Sequence, residues 1–395
     1  MTWTQNQRHR LFTADNYTKT LLPSIIYYLI MLEVDLEEVA RKVVDKCMEV
    51  KEDEVILVRG GTHNFEFVEN IAVHIRKKGA FPVVMADTDR LQKRMIEETD
   101  IEYLEKTPEY YLNWLEDIDG MIGIDSMKDP RLLSRLPEDK IGASRRGRRE
   151  VNNKFQEEKV RWTGIGYPTE EKAEMYGIEY EEFWDMFWKA LNTDYDVLKN
   201  NGEKLADKLR GGDMVHITSD NGTDLEFSIT GRHVLVDDGV ISQADIERGD
   251  IGNNLPCGEV FCAPLETTAN GKAYFDLAFY RGNKITGIDA TFKDGRLVKA
   301  DAEENGELFN QVLENSQGDK DIIGEFGIGT NPEVKKAIGY TITDEKIIGS
   351  IHIAVGENRM FGGKNESTLH WDLVMLGPSF EVDGKTVMEE GEHII

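Results

Sequence analysis

The sequence predicts an α/β fold: a doubly wound parallel α/β domain, followed by a predominantly β (α+β) domain at the C-terminus. Three observations carry that expectation. Helical spacings alternate with short apolar runs through the first half, which is how parallel βαβ units read. Near residue 212 the texture changes to short alternating strands with glycine and Asn/Asp turns. A chain of 395 residues is also long enough for two separate cores. The division expected is an N-terminal extension or arm over residues 1–32, the α/β domain over 33–211 and the β-rich domain over 212–395.

The elements are taken in chain order. LLPSIIYYLIML, residues 21–32, is the one membrane-like stretch, but it is too short to span a bilayer and contains Pro23. It runs directly into EVDLEEVARK, without the small-residue cleavage site of a signal peptide. LEEVARKVVDKCMEV has helical spacing and leads into the apolar run EVILVRGG. HNFEFVENIAVHIRKKG is amphipathic and leads to FPVVMAD, and PEYYLNWLEDI leads to GMIGID. The turn GGTHN lacks the spacing of a dinucleotide fingerprint. SRRGRRE, residues 144–150, is the one basic cluster and reads as a surface loop balanced by neighbouring Glu. TGIGYPTEEKAEMYG and the residues up to 212 add a strand and two or three helices. One further helix is expected near residues 302–316, among the strands of the second half.

The charge is unusual: 74 acidic against 47 basic side chains, a formal net of -27 spread along the chain. Such a surface repels nucleic acid and anionic membrane and attracts a substrate with a free amino group. Three sparse cysteines, Cys47, Cys257 and Cys262, offer neither a disulfide framework nor a thiolate zinc site, which fits a reducing cytoplasm. Cys257 and Cys262 read as small residues packed around a strand.

The chemistry lies in LHWD. In a strand, His370 and Asp372 point one way while Leu369, Trp371 and Leu373 point the other. A His and a carboxylate on one face form either half of a metal site or a hydrogen-bonded pair. Four more polar groups interrupt apolar segments of the same half: Glu259 in GEVFCAP, Glu325 in GEFGIG, Glu345 in TDEK and His352 in SIHIAVG. Alternation sets His352 on the face of Ala354 and Gly356, where there is room for an ion. Buried carboxylates gathered together repel unless divalent charge offsets them. Three Glu, one Asp and two His suit two ions of zinc, cobalt, manganese or ferrous iron; separately satisfied polar residues at sheet ends are the other reading.

The succession NGTDLEFSITGR, NLPCGEVFCAP, GEFGIGTNP, TDEKIIGSIHIAVG and GGKNESTLHWD resembles the aminopeptidase T / aminopeptidase S family of two-metal metallopeptidases, in order from about residue 34 onward. GYPTEEKAEMYG fits it too. The resemblance implies a leucyl aminopeptidase of thermophilic type, a homodimer that takes short peptides with a free N-terminus. It implies two divalent ions per subunit (zinc, cobalt or manganese), holding a bridging hydroxide that attacks the N-terminal peptide bond. Its ligands would be Glu259, Glu325, Glu345, His352, His370 and Asp372, with Glu325 bridging both ions and so counted as catalytic. Two departures stand out: the segment between His352 and His370 is short, and Arg359 occupies the place of a tyrosine implicated in catalysis. Arg359 is therefore the candidate for polarising the substrate carbonyl. The alternatives are a mononuclear Fe(II) ring-cleaving dioxygenase on the same fold, using a similar H-x-D segment, and a non-catalytic peptide-binding relative.

Overall fold

A computed structural model describes residues 34–157 and 160–395 of the chain. The expected N-terminal arm lies outside them. Residues 35–395 form one compact unit, and within it the two textures become two sheets.

The first sheet is parallel. β1 (Val55–Gly61), β2 (Phe81–Asp87), β3 (Gly120–Ile124) and β4 (Arg161–Ile165) come from the four apolar runs. The connecting helices begin where polar side chains cap free backbone N–H groups. Asp35 accepts from Glu38 before helix Leu36–Lys42, Thr88 from Leu91 before Asp89–Glu98, and Thr169 from Lys172 before Glu170–Tyr176. Helices Tyr180–Leu191 and Tyr195–Leu209 complete this half.

SRRGRRE is not a loop. It lies within the long helix Glu138–Glu157, where Arg146 pairs with Glu105. Arginine is a good helix former, and Gly147 has a packing reason to be there: a Cβ on it would sit 2.3 Å from the carbonyl oxygen of Leu104.

The second half runs through β5 (Met214–Thr218), β6 (Asp224–Ser228) and β7 (Leu235–Asp237). The chain then goes back to the first sheet with β8 (Gly252–Leu255), which pairs with β4 and gives the order β2-β1-β3-β4-β8. β9 (Glu259–Cys262), the long hairpin strands β10 (Asn270–Tyr280), β11 (Asn283–Lys293) and β12 (Arg296–Glu304), then β13 (Ile323–Gly329), β14 (Ser350–Gly356) and β15 (His370–Leu376) build the antiparallel sheet. β16 (Ser379–Val382), β17 (Lys385–Glu389) and β18 (Glu392–His393) close it at the far edge. The helix expected near 302–316 is Gly306–Asn315.

Two features of this sheet position the site. β9, β13, β14 and β15 are consecutive neighbours, and β7, beyond β9, is an edge. One face of the sheet carries the apolar core, in which Phe326, Ile328, Ile351, Ile353, Leu369, Trp371 and Leu373 are buried together. Trp371 and its alternating leucines thus take the core side, and His370 and Asp372 are turned to the other.

Candidate metal centre

Register brings the polar residues together. Glu259 on β9 stands opposite Gly329 on β13; Glu325 on β13 opposite Ala354 on β14; and Asp372 and His370 on β15 opposite Ala354 and Gly356. His352 on β14 stands opposite Gly327. Since side chains alternate, Glu259, Glu325, His352, His370 and Asp372 all rise from the one face, separated by glycine and alanine. The small residues are necessary. A Cβ on Gly327 would lie 2.0 Å from His352 Nε2, so only glycine leaves space for that ring. Gly327→Ala is therefore expected to push the imidazole aside and weaken divalent-metal affinity by about 10- to 100-fold. Calorimetric titration with manganese or zinc checks this, and unchanged affinity would show that the ring is not held as a ligand.

The atoms form two overlapping groups. Glu259, Glu325 and His352 make one, and Glu325, His370 and Asp372 the other, each with its ligand atoms within 4.8 Å of one another. Glu325 belongs to both, and its two oxygens divide between them. His352 Nε2 lies 3.4 Å from Oε1 and 3.5 Å from Glu259 Oε2. His370 Nε2 lies 3.2 Å from Glu325 Oε2 and 3.4 Å from Asp372 Oδ1. The backbone carbonyl of Glu357 sits 2.7 Å from His370 Nδ1. That carbonyl accepts from Nδ1–H and orients the ring so that Nε2 faces the cluster.

Glu345 follows helix Thr341–Asp344, near enough to Asp372 for the two carboxylates to act on each other, but outside both groups. Beside it is a residue that the sequence motifs do not single out. Lys346 is fully buried, and its Nζ lies 2.5 Å from Glu259 Oε1, 2.9 Å from Glu345 Oε2 and 3.8 Å from Asp237 Oδ2. Its only signal in the sequence is a lysine directly after Glu345, at the head of an apolar run. Arg359 takes a different position. Its half-exposed guanidinium is gripped by both oxygens of Glu357, at 2.8 Å each, with Glu366 at 3.5 Å. None of the six proposed ligands is among these partners.

Five buried or nearly buried carboxylates thus gather here: Asp237, Glu259 and Glu345 around the one ammonium, and Glu325 and Asp372 beside the histidines. Burial pushes Glu345 up to about 8 and Asp237 to about 7, each partly offset by Lys346. Burial also disfavours charging His352, but the carboxylates of Glu325 and Glu259 outweigh it and carry the imidazole up to about 9. His370 is raised in the same way by Asp372 and Glu325. Surplus negative charge here draws protons onto histidines. Glu259 Oε2 and Asp372 Oδ1 are moreover buried without a hydrogen-bond partner, a cost rarely left uncompensated. Mixed carboxylate and imidazole donors, excess negative charge and orphaned oxygens all fit divalent cations.

A cavity of about 590 Å³ opens beside this centre, within the size range of ligand pockets. Glu259 and Asp237 form its inner wall, with Trp162, Phe261, Phe361 and Asn253 among the other lining groups.

Comparison with known proteins agrees with this chemistry. The family model described as thermophilic metalloprotease (M29) matches residues 32–395. Aminopeptidase T of Thermus aquaticus is 24% identical, over 91% of this chain and 96% of its own length. Aminopeptidase PepS of Streptococcus thermophilus is 23% identical, over 89% of this chain and 94% of its own. Among solved structures, wild-type AmpT from Thermus thermophilus superposes with a TM-score of 0.75 at 22% identity, covering 91% of this chain and 99% of that one. A 2,5-dihydroxypyridine dioxygenase from Pseudomonas putida shares the fold at a TM-score of 0.59 and 14% identity, covering 91% and 96%.

Proposed function

We propose the reaction from the premise that this chain belongs to the thermophilic metalloprotease (M29) family: it is a metallo-aminopeptidase, a hydrolase that removes the N-terminal residue of peptides. The observation that carries the assignment to these residues is the pair of donor groups sharing Glu325, one carboxylate oxygen to each. Glu259 and His352 would hold one divalent ion, His370 and Asp372 a second, and Glu325 would bridge them. Glu345 would complete the set beside Asp372. Zinc, cobalt and manganese all suit these donors. Bound there, such ions supply Lewis acidity, making water a nucleophile near neutral pH and polarising the carbonyl under attack.

The remaining work falls to the chain. Hydrogen bonding to the Glu357 carbonyl holds the Nδ1 proton of His370 and so turns Nε2 to the cluster as the ligand atom. Lys346 holds Glu259 and Glu345 in place with a charge that cannot leave. The cavity wall carries Glu203, Asp237, Asp238, Asp245, Asp250 and Glu259 against Lys199, Arg210 and Arg248, an acidic excess that favours the ammonium end of a peptide. We place Arg359 outside the reaction, as an anchor of the loop carrying Glu357. A homodimer in the cytoplasm belongs to the same proposal; the three free, buried cysteines support a reducing compartment.

Metal analysis of the purified protein, paired with hydrolysis of leucine amide with and without chelator, tests the reading. Two divalent ions per chain, and activity that chelator removes and metal restores, are expected. One iron with ring cleavage of a dihydroxypyridine would select the dioxygenase alternative. Failure of the metal-loaded protein to cleave any of a broad panel of amides and peptides would leave only a non-catalytic relative.

A further inference from the structure

One residue of the cavity is unexplained by metal binding. Asn253 lies on β8, at the edge of the parallel sheet among the described residues, and is one of the residues lining the cavity whose inner wall is Glu259. It is only 8% exposed, yet both its Oδ1 and its Nδ2 are without any hydrogen-bond partner among the described residues. Burying one amide group unpaired costs about 1–3 kcal/mol, and buried side-chain polar atoms are nearly always satisfied. Here a donor and an acceptor on the same side chain are left open together.

The surroundings fit that opening to a ligand. Trp162 lies across β8 on the face away from the Asn253 side chain, because Gly252 has no side chain; a Cβ there would be 2.1 Å from the indole. β7, on the other side of the cavity, is the free edge of the antiparallel sheet. The space between two strand edges suits an extended chain. In an extended peptide the N–H and C=O of one residue point to the same side. A carboxamide can meet both at once, donating from Nδ2 to the C=O and accepting at Oδ1 from the N–H.

We propose that Asn253 reads the main chain of the peptide substrate on the leaving side of the scissile bond, so that peptides are preferred to simple amino-acid amides. The assignment rests on the aminopeptidase reading above. It makes Asn253 a specificity-determining residue that spends no contact on the metal ions or on the residue being released.

The test compares two substrates in the metal-loaded protein: Leu-Gly-Gly, which has main chain beyond the cut, and leucine p-nitroanilide, which has none. Asn253→Leu keeps the volume and removes both hydrogen bonds, and Asn253→Asp keeps the acceptor and loses the donor. Both are expected to lower kcat/KM for Leu-Gly-Gly by on the order of 10-fold or more, the loss of one to two hydrogen bonds. Activity on leucine p-nitroanilide stays within about 2-fold and metal content is unchanged. Asn253→Leu also removes an orphaned amide, so its thermal midpoint should not fall; should that variant fail to fold, Asn253→Asp decides alone. An equal loss on both substrates would make Asn253 structural and overturn the proposal, as would no loss on either. Wild-type protein that cleaves neither substrate would instead sink the aminopeptidase reading itself.

Discussion

Glu325→Gln is expected to lower kcat/KM on leucine amide by on the order of 10³-fold or more and to reduce bound divalent metal below two ions per chain. The size of the effect comes from its position. Oε1 faces His352 and Oε2 faces His370, so a single carboxylate serves both donor groups. The amide is nearly isosteric but offers one weaker, neutral acceptor and one donor, and the donor would point at a cation or at an imidazole. Glutamine keeps the shape of the side chain, and although it removes the partner of two imidazoles it also relieves a region with surplus negative charge. Metal analysis and circular dichroism beside the assay separate loss of the centre from loss of structure. Full activity with two ions still bound would remove Glu325 from the bridging role.

Lys346→Met should act on stability first. The ammonium is fully buried against Glu259, Glu345 and Asp237. Removing one partner of a buried ion pair typically costs about 3–5 kcal/mol, because the opposite charges are left without compensation. For a chain of this size that corresponds to a fall of roughly 4–6 °C in the thermal midpoint of chelator-treated protein. Added zinc or manganese should recover most of the fall, since divalent charge offsets the same carboxylates. Lys346→Arg, which keeps the charge but not the compact ammonium, should lie between the two. A midpoint unchanged in the absence of metal would mean that those carboxylates do not need the ammonium.

Much of this centre is legible in the order of residues. Strand alternation alone sets His370 and Asp372 opposite Trp371, and the core accordingly contains Leu369, Trp371 and Leu373. It also places His352 on the side of Ala354 and Gly356, and in the strand register these small residues stand opposite Asp372 and His370. Alternation is legible because it depends only on the backbone between adjacent residues.

Helix and strand texture likewise marks the parallel unit and the antiparallel half. SRRGRRE resists the same reading. Its density of charge suggests a loop, whereas its helix propensity prevails in the fold, and the reason for Gly147, close packing on Leu104, comes from a distant segment.

What the sequence by itself determined is the inventory of donors, which of them share a face, and the small residues that make room for them. Only tertiary structure decided that β9, β13, β14 and β15 lie side by side, so that one glutamate faces two histidines. It also decided that Lys346 is buried among carboxylates, that Arg359 is taken up by Glu357, and that β8 leaves the β-rich half to set Asn253 in the cavity wall. The physical reason is common to all of these. Burial and charge balance are sums over neighbours far apart in the chain, and no local pattern of residues contains them.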